Sequence, residues 1–215
     1  MSQRGRFLTF EGGEGSGKST VSAHIARWLQ KRGYEVVLTR EPGGSAFGNM
    51  VRKWLLDPEC KTPIGQQAEF LLFLAARAQH IEELIAPAVA AGKIVLCDRF
   101  NDSSVAYQGV ARGLGFKYTR LLCSMVCEHI QPEMTFLLDI DPEIGLHRAK
   151  GTAKAEAAAG LHDKMEAEAL HFHQQVRQGF QTLAAIEPER IHVIDASQTL
   201  PTVCNAIETL IETKW

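Results

Sequence analysis

At 215 residues, with 45% hydrophobic and 22% charged side chains, the chain is long enough to bury a sizeable core as one domain. Its formal net charge of −2 argues against non-specific binding to nucleic acid or to an anionic membrane surface, and no eighteen-residue apolar run is present to span a bilayer. The amino terminus leads straight into a strand-like segment, which predicts a cytoplasmic protein without a signal peptide.

The first element in chain order is an apolar strand, Phe7–Phe10. Directly behind it stands Gly12-Gly13-Glu14-Gly15-Ser16-Gly17-Lys18-Ser19, a G-x-x-x-x-G-K-S phosphate loop. Its glycines let successive backbone N–H groups turn onto the phosphates of a nucleotide. Lys18 reaches the β and γ oxygens, Ser19 holds Mg²⁺, and the helix predicted over Lys18–Arg32 aims its positive end at the anion. A chance glycine-rich turn would lack the strand before it and the helical pattern after it, so a nucleoside triphosphate is the expected ligand.

Four more strands follow, Val36–Thr39, Ile94–Cys97, Thr135–Asp139 and Ile191–Ile194. They alternate with helices over Phe47–Leu55, Gly65–Ala90, Lys117–His129, Pro142–Ala149, Asp163–Ile186 and Pro201–Thr213. Continuous apolar runs suit parallel strands covered on both faces. The β–α alternation specifies an α/β fold, a doubly wound parallel five-stranded sheet of P-loop NTPase architecture, with ligands at the carboxyl ends of the strands. Pro87, inside the 65–90 pattern, should kink or end that helix.

The strand ends carry the next signals. Asp98 closes the third strand and suits holding Mg²⁺, while Arg99 beside it supplies a fixed cation. Arg40 closes the second strand. Lys18, Arg40 and Arg99 together exceed what one Mg-bound triphosphate needs, so a second anionic group is expected. Phe73 and Arg77, four apart, share a helix face. The ring could stack on a base, although a phenylalanine at that spacing is more often core. Residues Ser103-Ser104-Val105-Ala106-Tyr107-Gln108-Gly109 offer hydroxyls, a phenol and an amide, which suit base and sugar recognition better than packing.

The stretch from Lys150 to Gly160 is alanine-rich and has no apolar stripe, so it reads as a solvated linker or as a lid over bound phosphates; the need to exclude water favours the lid. Five cysteines without a C-x-x-C pair read as buried reduced thiols, and eight histidines without ligand spacing predict no zinc site.

Taken with Thr39-Arg-Glu-Pro-Gly-Gly44, Ala75-Ala-Arg-Ala-Gln79 and Asp98-Arg-Phe100, the phosphate loop and the 103–109 segment resemble the thymidylate kinases in order and spacing over nearly the whole chain. The resemblance implies a single kinase domain over 1–215 with a lid at about 150–163. It implies transfer of the γ-phosphoryl of ATP to thymidine monophosphate with Mg²⁺, and a homodimer. By that resemblance ATP is held by Gly12 to Thr20 and by Arg148, which lies on adenine. Glu14 approaches the acceptor's 3′-hydroxyl, Arg40 and Arg99 bind its phosphate, and Phe73 stacks on thymine. Arg77, Ser104 and Gln108 read the polar edge of the base, and Tyr107 crowds the 2′ position. Metal ligation falls to Ser19 and Asp98.

One departure stands out. Members with glycine at the position of Gly15 usually bring catalytic arginines from the lid, whereas this lid offers only Lys150 and Lys154, point charges without a bidentate fork. Two other readings stay open on the residues alone. A deoxynucleoside kinase would need a carboxylate base, for which Glu41 is available, and a GTP switch would need a guanine-reading N-K-x-D element, which the sequence lacks.

Overall fold

The computed structural model describes residues 5–57, 60, 62–157, 165 and 168–215, for 151–157 the backbone alone. Five strands, β1 (Arg6–Glu11), β2 (Val36–Arg40), β3 (Ile94–Asp98), β4 (Met134–Asp139) and β5 (Ile191–Asp195), form one sheet in the order β2-β3-β1-β4-β5. Every pairing is parallel. The predicted doubly wound sheet is therefore present, and each predicted strand lies within an observed one.

Burial explains why the strands read as continuous apolar runs. The central β1, β3 and β4 are covered on both faces, whereas the edge strands β2 and β5 are only partly buried. On one face, Leu8 and Phe10 of β1 meet Val21, Ile25 and Leu29 of α1 (Lys18–Lys31) and Ile207 and Ile211 of α9 (Leu200–Lys214). The residues between them, Phe7, Thr9 and Glu11, belong to the opposite face by the two-residue period of a strand. There α2 (Ala46–Leu56), α3 (Gln66–His80), α6 (Phe116–Val126) and α8 (Leu170–Ile186) build the second core layer around Phe70, Val176 and Phe180.

Two helical stretches depart from the predicted pattern. The 65–90 rod is α3, then a π-helical turn Ile81–Ile85, then α4 (Ala86–Ala90). The wider turn ends just before Pro87, whose ring and missing N–H are incompatible with the regular ladder. After β3, α5 (Asn101–Ser104) runs into a second π-helical stretch, Val105–Ala111, over residues to which the sequence pattern assigned no element. Helix α8 packs closely on that stretch because Gly179 has no side chain; a Cβ there would stand 2.9 Å from the Ala106 Cα.

Helix α7 (Pro142–Ala157) corrects one boundary. It passes Ala149, where the apolar pattern stops, since alanine favours helix without needing a face to bury. Residues 158–164 of the expected lid lie outside the described residues.

Candidate active site

The crevice sits where the winding of the sheet reverses, at the carboxyl ends of β1, β3 and β4. The phosphate loop leaves β1 with positive φ at Gly12, Gly15 and Gly17, and α1 starts at Lys18. The Lys18 ammonium folds back over the loop, donating to the carbonyls of Gly12 (3.2 Å) and Gly13 (2.8 Å) and to Ser16 Oγ (3.3 Å). Burial, then the neighbouring Arg99, lowers its pKa to about 8 against the pull of Glu14 and Asp98. Ser19 Oγ donates to Asp98 Oδ2 at 2.5 Å, so two hard oxygens from α1 and β3 meet beside the loop. That donor pair fits Mg²⁺, which takes few protein ligands and fills its shell with phosphate oxygens and water.

Arg99 follows β3 with φ 69°, the only side-chain-bearing residue with positive φ among those described. Its backbone N–H continues the sheet pairing to the Phe10 carbonyl (2.9 Å) and so holds the residue in this sparsely populated conformation. The guanidinium donates to the Gly12 carbonyl (2.9 Å) and to Glu14 Oε1 (2.7 Å). Tyr107 Oη donates to the same Glu14 oxygen at 2.7 Å, and the Arg99 Cζ lies 5.0 Å from the Tyr107 ring centre. Burial alone would raise the Glu14 pKa, but Arg99, Lys18 and the Tyr107 hydroxyl outweigh it and hold the carboxyl at about 2.

Beside this cluster opens a cleft of about 510 Å³, lined among others by Glu14, Phe73, Arg77, Arg99, Ser104, Tyr107 and Gln108. Phe73 is half-buried in the wall rather than sealed in the core. Arg77 is fully buried at the floor, donating to Glu41 Oε2 (2.7 Å), the Phe100 carbonyl (3.0 Å) and Ser104 Oγ (3.0 Å). The other Glu41 oxygen meets His80 Nδ1 at 3.0 Å, and His80 Nε2 meets Thr39 Oγ1 at 2.9 Å. Glu41 is thus an ion-pair partner whose two oxygens are both engaged, which removes the general-base reading. Gln108 is held by Glu69 Oε1 at 3.0 Å.

Arg40 is not brought to this cleft. It stands exposed at the end of an edge strand, and the lining arginine in its place is Arg52 of α2, which also donates to the Pro42 carbonyl at 3.1 Å. Sequence reading missed Arg52 because it lies within an ordinary amphipathic helix. It also missed Glu11, buried at the end of β1, which accepts from the N–H of Phe100 (2.7 Å) and from Ser103 Oγ (2.5 Å) and so ties α5 to the sheet. The only signal for Glu11 was an acid inside an apolar strand.

On the donor side, Arg148 of α7, the residue expected at adenine, donates to the carbonyls of Ala196 (2.8 Å) and Ser197 (3.3 Å) behind β5. Lys150 is exposed on the same helix, and the Lys154 side chain lies outside the described residues. Helix α7 touches the phosphate loop through backbone: a Cβ on Gly145 would stand 2.4 Å from the Glu14 carbonyl oxygen, and one on Gly15 only 1.9 Å from that of Gly145.

The family model described as thymidylate kinase matches residues 10–207. The chain belongs to the thymidylate kinase family. A thymidylate kinase of Protochlamydia amoebophila is 51% identical over 212 residues, covering 99% of this chain and 94% of the relative. One of Desulfovibrio desulfuricans is 47% identical over 192 residues, covering 89% and 88%. Among solved structures, the thymidylate kinase of Ehrlichia chaffeensis superposes with a TM-score of 0.76 at 33% identity, covering 97% of this chain and 98% of that one. The loop, the strand-end Asp98-Arg99 pair and the cleft residues all lie within the matched span.

Proposed function

We infer that this chain transfers the γ-phosphoryl group of ATP to thymidine monophosphate, giving thymidine diphosphate and ADP for dTTP synthesis. The observation that carries this reading is that Glu14 of the phosphate loop and Arg99, which donates to that loop, both line the neighbouring cleft, so a donor and an acceptor would meet across them. A monophosphate acceptor is already an anionic nucleophile near neutral pH. No general base is then required, and the protein supplies alignment and charge neutralisation in a loose transition state.

Lys18 turns from the loop carbonyls to the β and γ oxygens, and Arg99 lies between the γ-phosphoryl and the acceptor phosphate. Ser19 and Asp98 would hold Mg²⁺, which when bound shields charge on the donor phosphates. Arg52 restrains the acceptor phosphate from within the cleft. Phe73 stacks on thymine, Arg77 with Ser104 and Gln108 reads its polar edge, and Tyr107 excludes a 2′-hydroxyl. Arg148 covers adenine, while the segment 150–163 acts as a lid whose Lys150 and Lys154 add charge over the phosphates. The site belongs to a single domain spanning 1–215, working in the cytoplasm, where buried free thiols such as Cys97 and Cys204 stay reduced.

The working unit is a homodimer. Helices α2, α3 and α6 lie side by side, and each leaves an apolar stripe in solvent: Met50 and Trp54, Leu71, Leu121 and Met125. A second copy is the partner that would cover such a face.

A coupled ADP-release assay with Mg-ATP tests the activity, comparing thymidine monophosphate, thymidine, deoxyuridine monophosphate and uridine monophosphate. Turnover with thymidine monophosphate and little with uridine monophosphate is expected. Turnover with thymidine alone would move the chain to the nucleoside kinases.

A further inference from the structure

Between the phosphate loop and α8 lies a second, narrow crevice of about 340 Å³, lined in part by Gly12, Gly13, Glu14, His173 and Arg177. His173 is 4% exposed, yet neither ring nitrogen has a hydrogen-bond partner among the described residues. The Glu168 backbone lies near the ring without closing a bond of acceptable geometry. Arg177 is not available to it, being bidentate to Asp139 at 2.8 Å through both of its donors to that carboxylate. An unpaired polar group buried this deeply is costly, and its neighbours Phe172, Val176 and Phe180 would accept an apolar ring without that cost.

The facing carboxylate has an oxygen to offer. Arg99 and Tyr107 both donate to Glu14 Oε1, whereas Oε2 takes no hydrogen bond among the described residues. We propose that His173 is a positioning residue for Glu14: when substrates close the site, a ring N–H holds Oε2, directly or through one water. With one oxygen fixed by Arg99 and Tyr107 and the other by His173, the carboxylate keeps a single orientation toward the acceptor sugar. The proposal rests on Glu14 facing the acceptor, as read above.

The test pairs His173→Phe, which keeps a ring without a donor, with His173→Gln, which restores an N–H. In His173→Phe, kcat with thymidine monophosphate should fall by about tenfold or more with KM for Mg-ATP unchanged, the loss of one hydrogen bond to a charged group. His173→Gln should recover to within about threefold. Full activity in His173→Phe, or equal losses in both variants, would overturn the positioning role. Glu14→Gln is measured alongside: if it keeps full activity, the acceptor-side reading of Glu14 fails, and the inference with it. If Glu14→Gln is impaired while His173→Phe is not, only the inference fails. A measurement on the wild-type side chain guards against a misfolded variant. Bound to thymidine monophosphate and a non-hydrolysable ATP analogue, the protein should show a low-field, exchange-protected His173 ring N–H by NMR. That signal should be absent in Glu14→Gln; its absence in the wild-type complex would refute the contact.

Discussion

The Lys18 ammonium is buried among loop carbonyls with its pKa drawn down to about 8, chiefly by burial and next by Arg99. Bound phosphates favour the charged form and raise that value in the complex. Mg-ATP affinity is therefore fully present below pH about 8 and falls as pH rises through it, by up to about tenfold per pH unit. Calorimetric titration from pH 7 to 9.5 checks this, with the fall in affinity setting in at about 8. Lys18→Met should abolish the dependence and lower kcat/KM by about 10³-fold, a magnitude typical of losing a preorganised charge at a reacting centre. Glu11 is shifted the other way, yet its contribution to folding is also lost as pH rises. Burial and then the Asp102 charge raise its pKa from 4.5 to about 8, so the folded protein holds a proton that the unfolded chain releases. Stability is lost as pH climbs between those values, at most about 1.4 kcal/mol per unit, and Glu11→Gln should flatten that slope in denaturant titrations. Legibility at this scale follows chain locality. Lys18, Ser19, Asp98 and Arg99 stand in contiguous motifs whose spacing states their purpose. Glu11, Arg52, His80 and His173 acquire theirs only from tertiary neighbours, and Glu41 looked like a base until Arg77 and His80 were placed against it.

Among the elements, the strands were the most legible because burial on both faces leaves a continuous apolar run, as in β3, where every residue is buried. The π-helical stretches were not. Their widened turns arise from packing rather than from periodicity, and at 105–111 the polar side chains read as recognition groups belong to a helix facing the cleft. That stretch is held by α8: Phe172 and Phe180 meet the Tyr107 ring edge-on at 6.1 and 6.2 Å, and Gly179 admits Ala106. Gly179→Ala should therefore push the two helices apart. The expected cost is about 1–3 kcal/mol, visible as a lower Tm. It should also raise KM for thymidine monophosphate more than for ATP, since Tyr107 lines the acceptor cleft and Arg148 does not depend on this contact.

For the molecule as a whole, the exposed stripe on α2, α3 and α6 predicts association. Trp54 is 61% and Met125 64% exposed, and each would bury about 1.5–3 kcal/mol of apolar side chain in a dimer. Trp54→Glu with Met125→Glu should shift the protein to monomer in sedimentation velocity, weakening association by at least about tenfold. No helix among the described residues is long and apolar enough to cross a membrane. The topology was legible from the alternation of strands and helices, whereas the face that meets a partner was not, because its exposed apolar residues share helices with core ones. The backbone contact of Gly15 with Gly145 bears on how such an enzyme can change over time. A side chain at 15 and a helix backbone at 145 claim one volume. An arginine at 15 therefore cannot be accommodated by the loop alone: the α7 backbone at 145 must shift as well, so the loop and that helix would have to change together.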